Sequence, residues 1–286
     1  ERNIASDSGV YSTANFSQGL YYAWHRPLSD PGDSLWLGAS VASLHRQGGG
    51  TDTTTQGMEY NARIAYAPIV RKHEWLHLGA SYVHADADTG SSTAGSNALA
   101  ASYVYGNHFD GNEKLTLASY SVGGAGGNPH SDTVGAEFAG AYGPAFLQAE
   151  FVNVAFRQQS QAGNTVRAWS ATLAYVLTGE TRPYDVDKAT YGGIKPLHDY
   201  GAVELAVRYD HARNDGYGGR YVGLKLAGAT VAAPTEATIS LLTIGVNYYL
   251  NPAVRFTFDY ARGKADLGAA GKDAPNTFGA RAQIRF

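Results

Sequence analysis

Along most of the chain, apolar and polar residues alternate with a period of two. The last ten residues place Phe278, Ala280, Ala282, Ile284 and Phe286 on one face and Gly279, Arg281, Gln283 and Arg285 on the other. Upstream, Leu242, Ile244, Val246, Tyr248 and Leu250 share a face, as do Val254, Phe256, Phe258 and Tyr260. Successive side chains of a β-strand point to opposite sides, so this pattern predicts strands. Asn251-Pro252 separates these two runs and reads as a tight turn. Tyr142-Gly143-Pro144 stands between Val134, Ala136, Phe138 and Leu147, Ala149, Phe151 in the same way. A third such turn is predicted near Ala67-Pro68, between Tyr60, Ala62, Ile64, Tyr66 and Leu76, Leu78, Ala80, Tyr82. Repeated along the chain, the pattern predicts about 13 strands, near residues 14–25, 35–46, 58–68, 74–85, 97–106, 113–122, 131–142, 145–158, 164–178, 201–213, 237–250, 253–263 and 276–286.

Connections alternate between short turns and longer loops rich in Gly, Ser, Thr, Asn and Asp, at 47–56, 86–97, 123–130 and 265–276. Short turns at one end and long loops at the other are the signature of an outer-membrane β-barrel. The connection 179–201 is the exception, long yet at the short-turn end. Opposite the apolar stripes lie Glu59, Asn61 and Arg63, Gln148 and Glu150, Glu204, Arg208 and Asp210, and Arg255, Thr257 and Asp259. Charge recurring on that face across many strands describes an aqueous interior, because unpaired charge is costly to bury. Aromatics near strand ends (Tyr22, Trp24, Tyr66, Tyr82, Trp169, Tyr175, Tyr209, Tyr248, Tyr260) predict interfacial girdles.

Composition agrees with an all-β chain. Beside 20 Tyr, 10 Phe and 4 Trp stand 35 Gly, with one Met and no Cys. No apolar run approaches the roughly 18 residues of a membrane-spanning helix, and the mean hydropathy is −0.27. A barrel needs only every second residue apolar. Twenty-two basic and 25 acidic residues give a formal net charge of −3, with no basic face suited to nucleic acid. The absence of cysteine fits passage through an oxidising periplasm. All 286 residues read as a single antiparallel transmembrane barrel domain.

Several blocks resemble the phosphate-selective porin O and P family: Thr178-Gly179-Glu180-Thr181-Arg182-Pro183-Tyr184, Gly193-Ile194-Lys195-Pro196, and Gly201 through Tyr209. So do Tyr142-Gly143-Pro144 through Phe151, Leu76 through Tyr82, and Asn247-Tyr248-Tyr249-Leu250-Asn251-Pro252. The order of blocks also agrees, over roughly residues 57–286. The resemblance implies a sixteen-stranded, trimeric outer-membrane porin passing small hydrophilic solutes, with a preference for anions such as phosphate. Its surroundings would be outer-membrane lipid and lipopolysaccharide. Thirteen strands and an opening at Glu1-Arg2 imply that about three N-terminal strands precede this chain. On the predicted lumen face, Arg63, Arg208, Arg255, Arg281 and Arg285 are the basic candidates for contacting anions, since a guanidinium donates two hydrogen bonds to one phosphate. Glu59, Glu137, Glu150, Glu204, Asp210 and Asp259 share that face and offer the arginines cross-strand partners.

Other chemistry is weaker. His73-Glu74-Trp75-Leu76-His77 has the spacing of a zinc-protease helix, but on a strand four residues span about 13 Å, too far for one metal. The glycine runs at 48–50 and 123–127 lack the Lys-Ser/Thr of a phosphate-binding loop. No cofactor, metal or enzymatic activity is expected. Two functions remain: a passive channel, or a non-conducting barrel that adheres or anchors through its outer loops. Lumen polarity favours the channel.

Overall fold

The computed structural model describes residues 19–29, 32–43, 55–89, 98–104, 114–121, 127–159, 161–215, 224–226, 229–231, 236–268 and 271–285. Phe286, which closes the last predicted strand, and the glycines at 48–50 and 123–126 lie outside them. The strands are β1 (Gly19–Arg26), β2 (Ser34–Ser43), β3 (Thr55–Arg71), β4 (Glu74–Thr89), β5 (Ala98–Val104), β6 (Lys114–Ser121), β7 (Pro129–Tyr142), β8 (Ala145–Gln158) and β9 (Gln161–Val176). They continue as β10 (Tyr184–Asp185), β11 (Thr190–Tyr191), β12 (Ala202–Asn214), β13 (Leu224–Leu226), β14 (Ala229–Val231), β15 (Thr238–Tyr249), β16 (Val254–Asp266), β17 (Lys272–Asp273) and β18 (Asn276–Ile284). No helix among the described residues is long and apolar enough to cross a membrane.

Every predicted strand is present, but not all join the wall. One antiparallel sheet runs β1-β2-β3-β4-β7-β8-β9-β12-β15-β16, with β17 and β18 both on the far edge of β16. The predicted strands at 97–106 and 113–122 are β5 and β6, which among the described residues pair only with each other, as a separate hairpin.

Alternation sets the faces as expected. Leu78, Ile64, Leu147, Leu173, Val207, Ile244 and Phe258 are exposed on the outside, whereas Gln148, Ser170, Glu204 and Asp210 are buried on the inside. The turns after β3, β7 and β15 sit together at one end, whereas the short connection from β8 to β9 lies at the other. At Tyr142-Gly143-Pro144, Gly143 has φ 54°, which a glycine adopts without steric cost, and its N–H donates to His73 O of the neighbouring turn. At Asn251, the side-chain oxygen accepts from the N–H groups of Ala253 and Val254. Ala67-Pro68 differs from the expectation. β3 continues to Arg71 with a register shift between Tyr66 and Ile69, so Pro68 lies in a bulge, where its missing N–H costs no ladder bond, and the turn comes at Lys72-His73.

The connection between β9 and β12 shows that the sheet curls. Trp36 on β2 donates to Asp187 O at 3.1 Å, Arg63 on β3 to Ala189 O at 2.9 Å, and Trp75 on β4 to Arg182 O at 2.7 Å. Glu204 on β12 accepts from Arg182. Arg285, just past β18, brings its guanidinium to 3.6 Å from where a Cβ on Gly193 would sit. One segment touched by strands from both ends of the sheet must lie inside it.

Candidate functional site: the lumen

Two insertions fill the space enclosed by the wall. From the long-loop end comes the hairpin β5–β6. Its Tyr103, Leu115, Leu117 and Tyr120 pack against Val152, Val154 and Phe156 of β8, Val166 of β9, and Ile239 and Leu241 of β15. Tyr120 stacks on Phe156 with ring centroids 5.7 Å apart. The side-chain amides of Asn164 and Asn214 donate to Leu117 O, at 3.4 and 3.0 Å. Inside the upper lumen, then, is an apolar core.

That core leaves a trace on the strands. From Leu147 to Phe151, β8 is apolar outside and polar inside. Beyond it, Val152, Val154 and Phe156 face in while Asn153 and Arg157 face out. Arg167, Arg213, Arg262 and Lys264 lie likewise on the outer side near the loop end. The reversal falls just past the aromatic contact of Trp169 and Tyr209, whose rings lie 5.3 Å apart. An apolar outer face suits lipid and a polar one water, so the wall projects beyond the lipid band above this girdle.

From the short-turn end comes the connection 177–201, which folds up into the barrel. Arg182 donates to Glu204 at 2.5 Å, and the two side chains are only 5% and 1% exposed. Glu204 also accepts from Tyr249 Oη at 2.8 Å and Asn247 Nδ2 at 3.1 Å. Arg182 lies over the Phe146 ring, 4.6 Å from its centroid, and Trp75 stacks on Tyr191. Tyr184 Oη and His77 Nδ1 are hydrogen-bonded at 2.7 Å, and His77 Nε2 is 3.7 Å from Glu137. Burial, reinforced by Glu137 and Asp185 against the opposing pull of Arg63, pushes the Tyr184 phenol up to about 12 and keeps it protonated. Ala189 is held at φ 46°, a conformation unfavourable for a residue with a Cβ. Arg63 takes its carbonyl, and Trp36 and Ala65 bury it. Gly201, at φ 89°, ends the segment where a Cβ would fall 2.4 Å from Tyr249 O.

Between the insertions the wall carries the charges. A cavity of about 290 Å³ opens on the inner side of β2, β3, β4, β7 and β8, beside Ser40, Asn61, Arg63, Ser81, Glu137 and Glu150. All five candidate arginines stand on the inward face. Arg63 donates through Nε to Glu137 at 2.6 Å and lies over Trp36. Arg208 is held by Asp210 at 2.9–3.0 Å. Arg255 donates to Gln283 at 2.8 Å and lies near the Tyr249 ring. Among the described residues Arg255, Arg281 and Arg285 form no salt bridge, and Arg281 and Arg285 are exposed. Arg182 and Trp75, which fix the connection, were not singled out from the sequence. His73 and His77 serve separate contacts, His73 Nδ1 with Thr181 Oγ1 at 3.3 Å and His77 with Tyr184.

Residues 1–286 match the family described as Phosphate-selective porin O and P. The chain is 28% identical over 279 residues to Porin O of Pseudomonas aeruginosa, an alignment covering 89% of this chain and 58% of that protein. It thus spans less than two-thirds of that relative's length. Among solved structures, the loop L8 deletion mutant of OmpT, an outer membrane protein of Vibrio cholerae, is 13% identical with a TM-score of 0.46, covering 92% of this chain and 62% of that one. In-vitro folded OmpT is 12% identical with a TM-score of 0.35, covering 94% and 89%. At such scores these structures add nothing to the fold read from the strand ladders. The blocks around Arg182, Glu204 and Tyr249, the alternating wall and the match along all 286 residues agree: this chain belongs to the phosphate-selective porin O and P family, in the bacterial outer membrane.

Proposed function

We propose that this chain forms most of the conducting wall of an outer-membrane porin through which small hydrophilic solutes diffuse down their gradient, with a modest preference for anions such as phosphate. The observation that carries the reading is the charged inward face. Glu59, Arg63, Glu137, Glu150, Arg208, Asp210, Arg255 and Asp259 project from five strands into a space bordering the cavity, an arrangement that water stabilises and a dry core does not. Arg63 and Arg208 are committed to carboxylates. Arg255, Arg281 and Arg285 are therefore the arginines that meet a passing anion, each able to offer a planar fork. Assembly as a homotrimer embedded in lipid and lipopolysaccharide belongs to the same proposal.

Planar-bilayer recording of the full-length protein tests it. We expect open-channel conductance and, in a salt gradient, a reversal potential displaced towards the anion. No conductance overturns the channel, and a clear cation preference overturns the anion preference.

A further inference from the structure

Beyond the aromatic girdle, the outer side of the wall is charged unevenly. On β4 and β7 the acidic side chains there are already partnered. His84 meets Asp132 at 2.8 Å and Asp86 at 3.0 Å, and Tyr82 donates to Asp132 at 2.6 Å. From β9 to β16 the charge is basic. Counting towards the loop end from Trp169, Tyr209, Leu242 and Tyr260, the first two outward positions are Arg167 and Thr165 on β9, His211 and Arg213 on β12, Ser240 and Thr238 on β15, and Arg262 and Lys264 on β16. Four cations stand in that band and no carboxylate does. Asp215, Glu236 and Asp266 come one outward position further on. Asp215 reaches back to Arg167 at 3.3 Å, and Asp266 is taken by Lys272. Among the described residues Arg213, Arg262 and Lys264 form no salt bridge, and all three are exposed. Arg213 also stands directly across the ladder from Arg167, and like charges in that position repel.

Below the band the same strands are apolar outside, with Leu173, Val207, Ile244 and Phe258 exposed, so the cations lie where hydrocarbon gives way to headgroups. The long loops mark this as the outer leaflet. A ligand suited to both surfaces joins acyl chains to anionic groups held just above them. Phosphate suits Arg213 and Arg262, because a guanidinium fork donates two hydrogen bonds to it. A free anion engages only the cations. We propose that Arg213, Arg262 and Lys264, with Arg167 beside them, form a docking surface for the phosphorylated headgroup of lipopolysaccharide, whose acyl chains lie along β9, β12, β15 and β16 below. Bound phosphate also offsets the repulsion between Arg167 and Arg213. The inference rests on the lipopolysaccharide surroundings proposed above and assigns them to named residues on one arc of the wall.

Three probes test it with the full-length protein in neutral detergent: lipopolysaccharide, the same lipopolysaccharide stripped of its phosphates, and phosphatidylglycerol. Native mass spectrometry counts bound lipid, and melting is followed in parallel. We expect intact lipopolysaccharide to bind most tightly and to raise the melting temperature. Arg213→Gln with Arg262→Gln and Lys264→Gln should weaken that binding about tenfold or more. Arg213→Lys with Arg262→Lys keeps the charge and should keep most of the binding. Without lipid the triple variant should melt no lower than the unaltered protein, since the repulsion between Arg167 and Arg213 is gone. Its conductance in bilayers free of lipopolysaccharide should be unchanged, which shows that it is folded. Equal binding of the dephosphorylated form overturns the proposal, as does a triple variant that binds as well as the unaltered protein. Phosphatidylglycerol bound as tightly as lipopolysaccharide also overturns it, by making the surface a general anionic-lipid site. So does a triple variant that loses its oligomeric state without lipid, which would make the band a subunit contact. An unaltered protein that binds lipopolysaccharide through these residues but conducts nothing overturns the channel and leaves the docking surface standing.

Discussion

The two insertions into this barrel occupy one lumen and are held by opposite physics. The hairpin β5–β6 rests on an apolar bed in which Leu115, Leu117 and Tyr120 are almost wholly buried. The connection 177–201 is clasped by directional bonds: Arg182 to Glu204, Trp75 and Trp36 to backbone carbonyls, and His77 to Tyr184. Apolar contact is proportional to area and tolerant of small shifts. A buried ion pair holds only while both partners are present and aligned. The hairpin should therefore loosen by degrees, whereas the connection should fail at single residues.

The largest effect is expected at Arg182. Replacing it with Leu leaves the Glu204 carboxylate buried without its counter-charge, and removing one partner of such a pair costs about 3–5 kcal/mol. Protease cleavage within 183–200 should appear at concentrations that leave the hairpin intact, and the urea midpoint should fall. Adding Glu204→Leu should recover part of the loss, because no charge is then left buried, although Tyr249 and Asn247 lose their acceptor. A double variant no better than the single one would show that the charge is not what holds the connection.

Leu117→Ala is expected to cost less, about 2–3 kcal/mol, for the lost apolar contact and the cavity it leaves. Cleavage should rise in the hairpin and stay unchanged in the connection, and mean conductance should increase as the hairpin samples positions off the wall. If the variant frees both insertions together, they form one cooperative unit and the contrast between them disappears.

The wall was readable in the sequence because alternation survives one residue at a time. Leu242, Ile244, Val246 and Tyr248 need no distant partner to declare their face. The hairpin was not readable as an insertion, since strands at 98–104 and 114–121 look alike whether they pair with the wall or only with each other. A signal was nonetheless present in Val152, Val154 and Phe156, where the alternation of β8 changes phase and calls for an apolar partner inside. Face and site also separated differently. The inward positions of Arg63 and Arg208 followed from parity, but their commitment to Glu137 and Asp210 depends on reach that spacing alone does not supply. The connection 177–201 stood out by its length at the wrong end. Its partners are up to 151 residues away in sequence, so its path into the lumen had no local trace.

Acidity sharpens the contrast with the smallest expected effect. Within the connection, burial pushes the Glu180 carboxyl up, but the Leu197 N–H and the Thr178 hydroxyl both donate to it and outweigh burial, so it titrates below its ordinary value. A carboxylate depressed in the folded state contributes stability that is fully present above its unfolded value, about 4.3 for Glu. That contribution is lost as pH falls through that value towards the folded one. The hairpin's bed of Leu, Val, Ile and Phe has no such group to protonate. Pepsin digestion between about pH 5 and 2.5 should therefore show cleavage in the connection rising relative to cleavage in the hairpin, a ratio taken within one digest so that the protease's own pH dependence cancels. Glu180→Gln keeps the side-chain shape and removes the titration, and should flatten that ratio across the same range. An acid rise that persists in Glu180→Gln would assign it to another carboxylate, with Glu204 beneath Arg182 the next to test by the same digest.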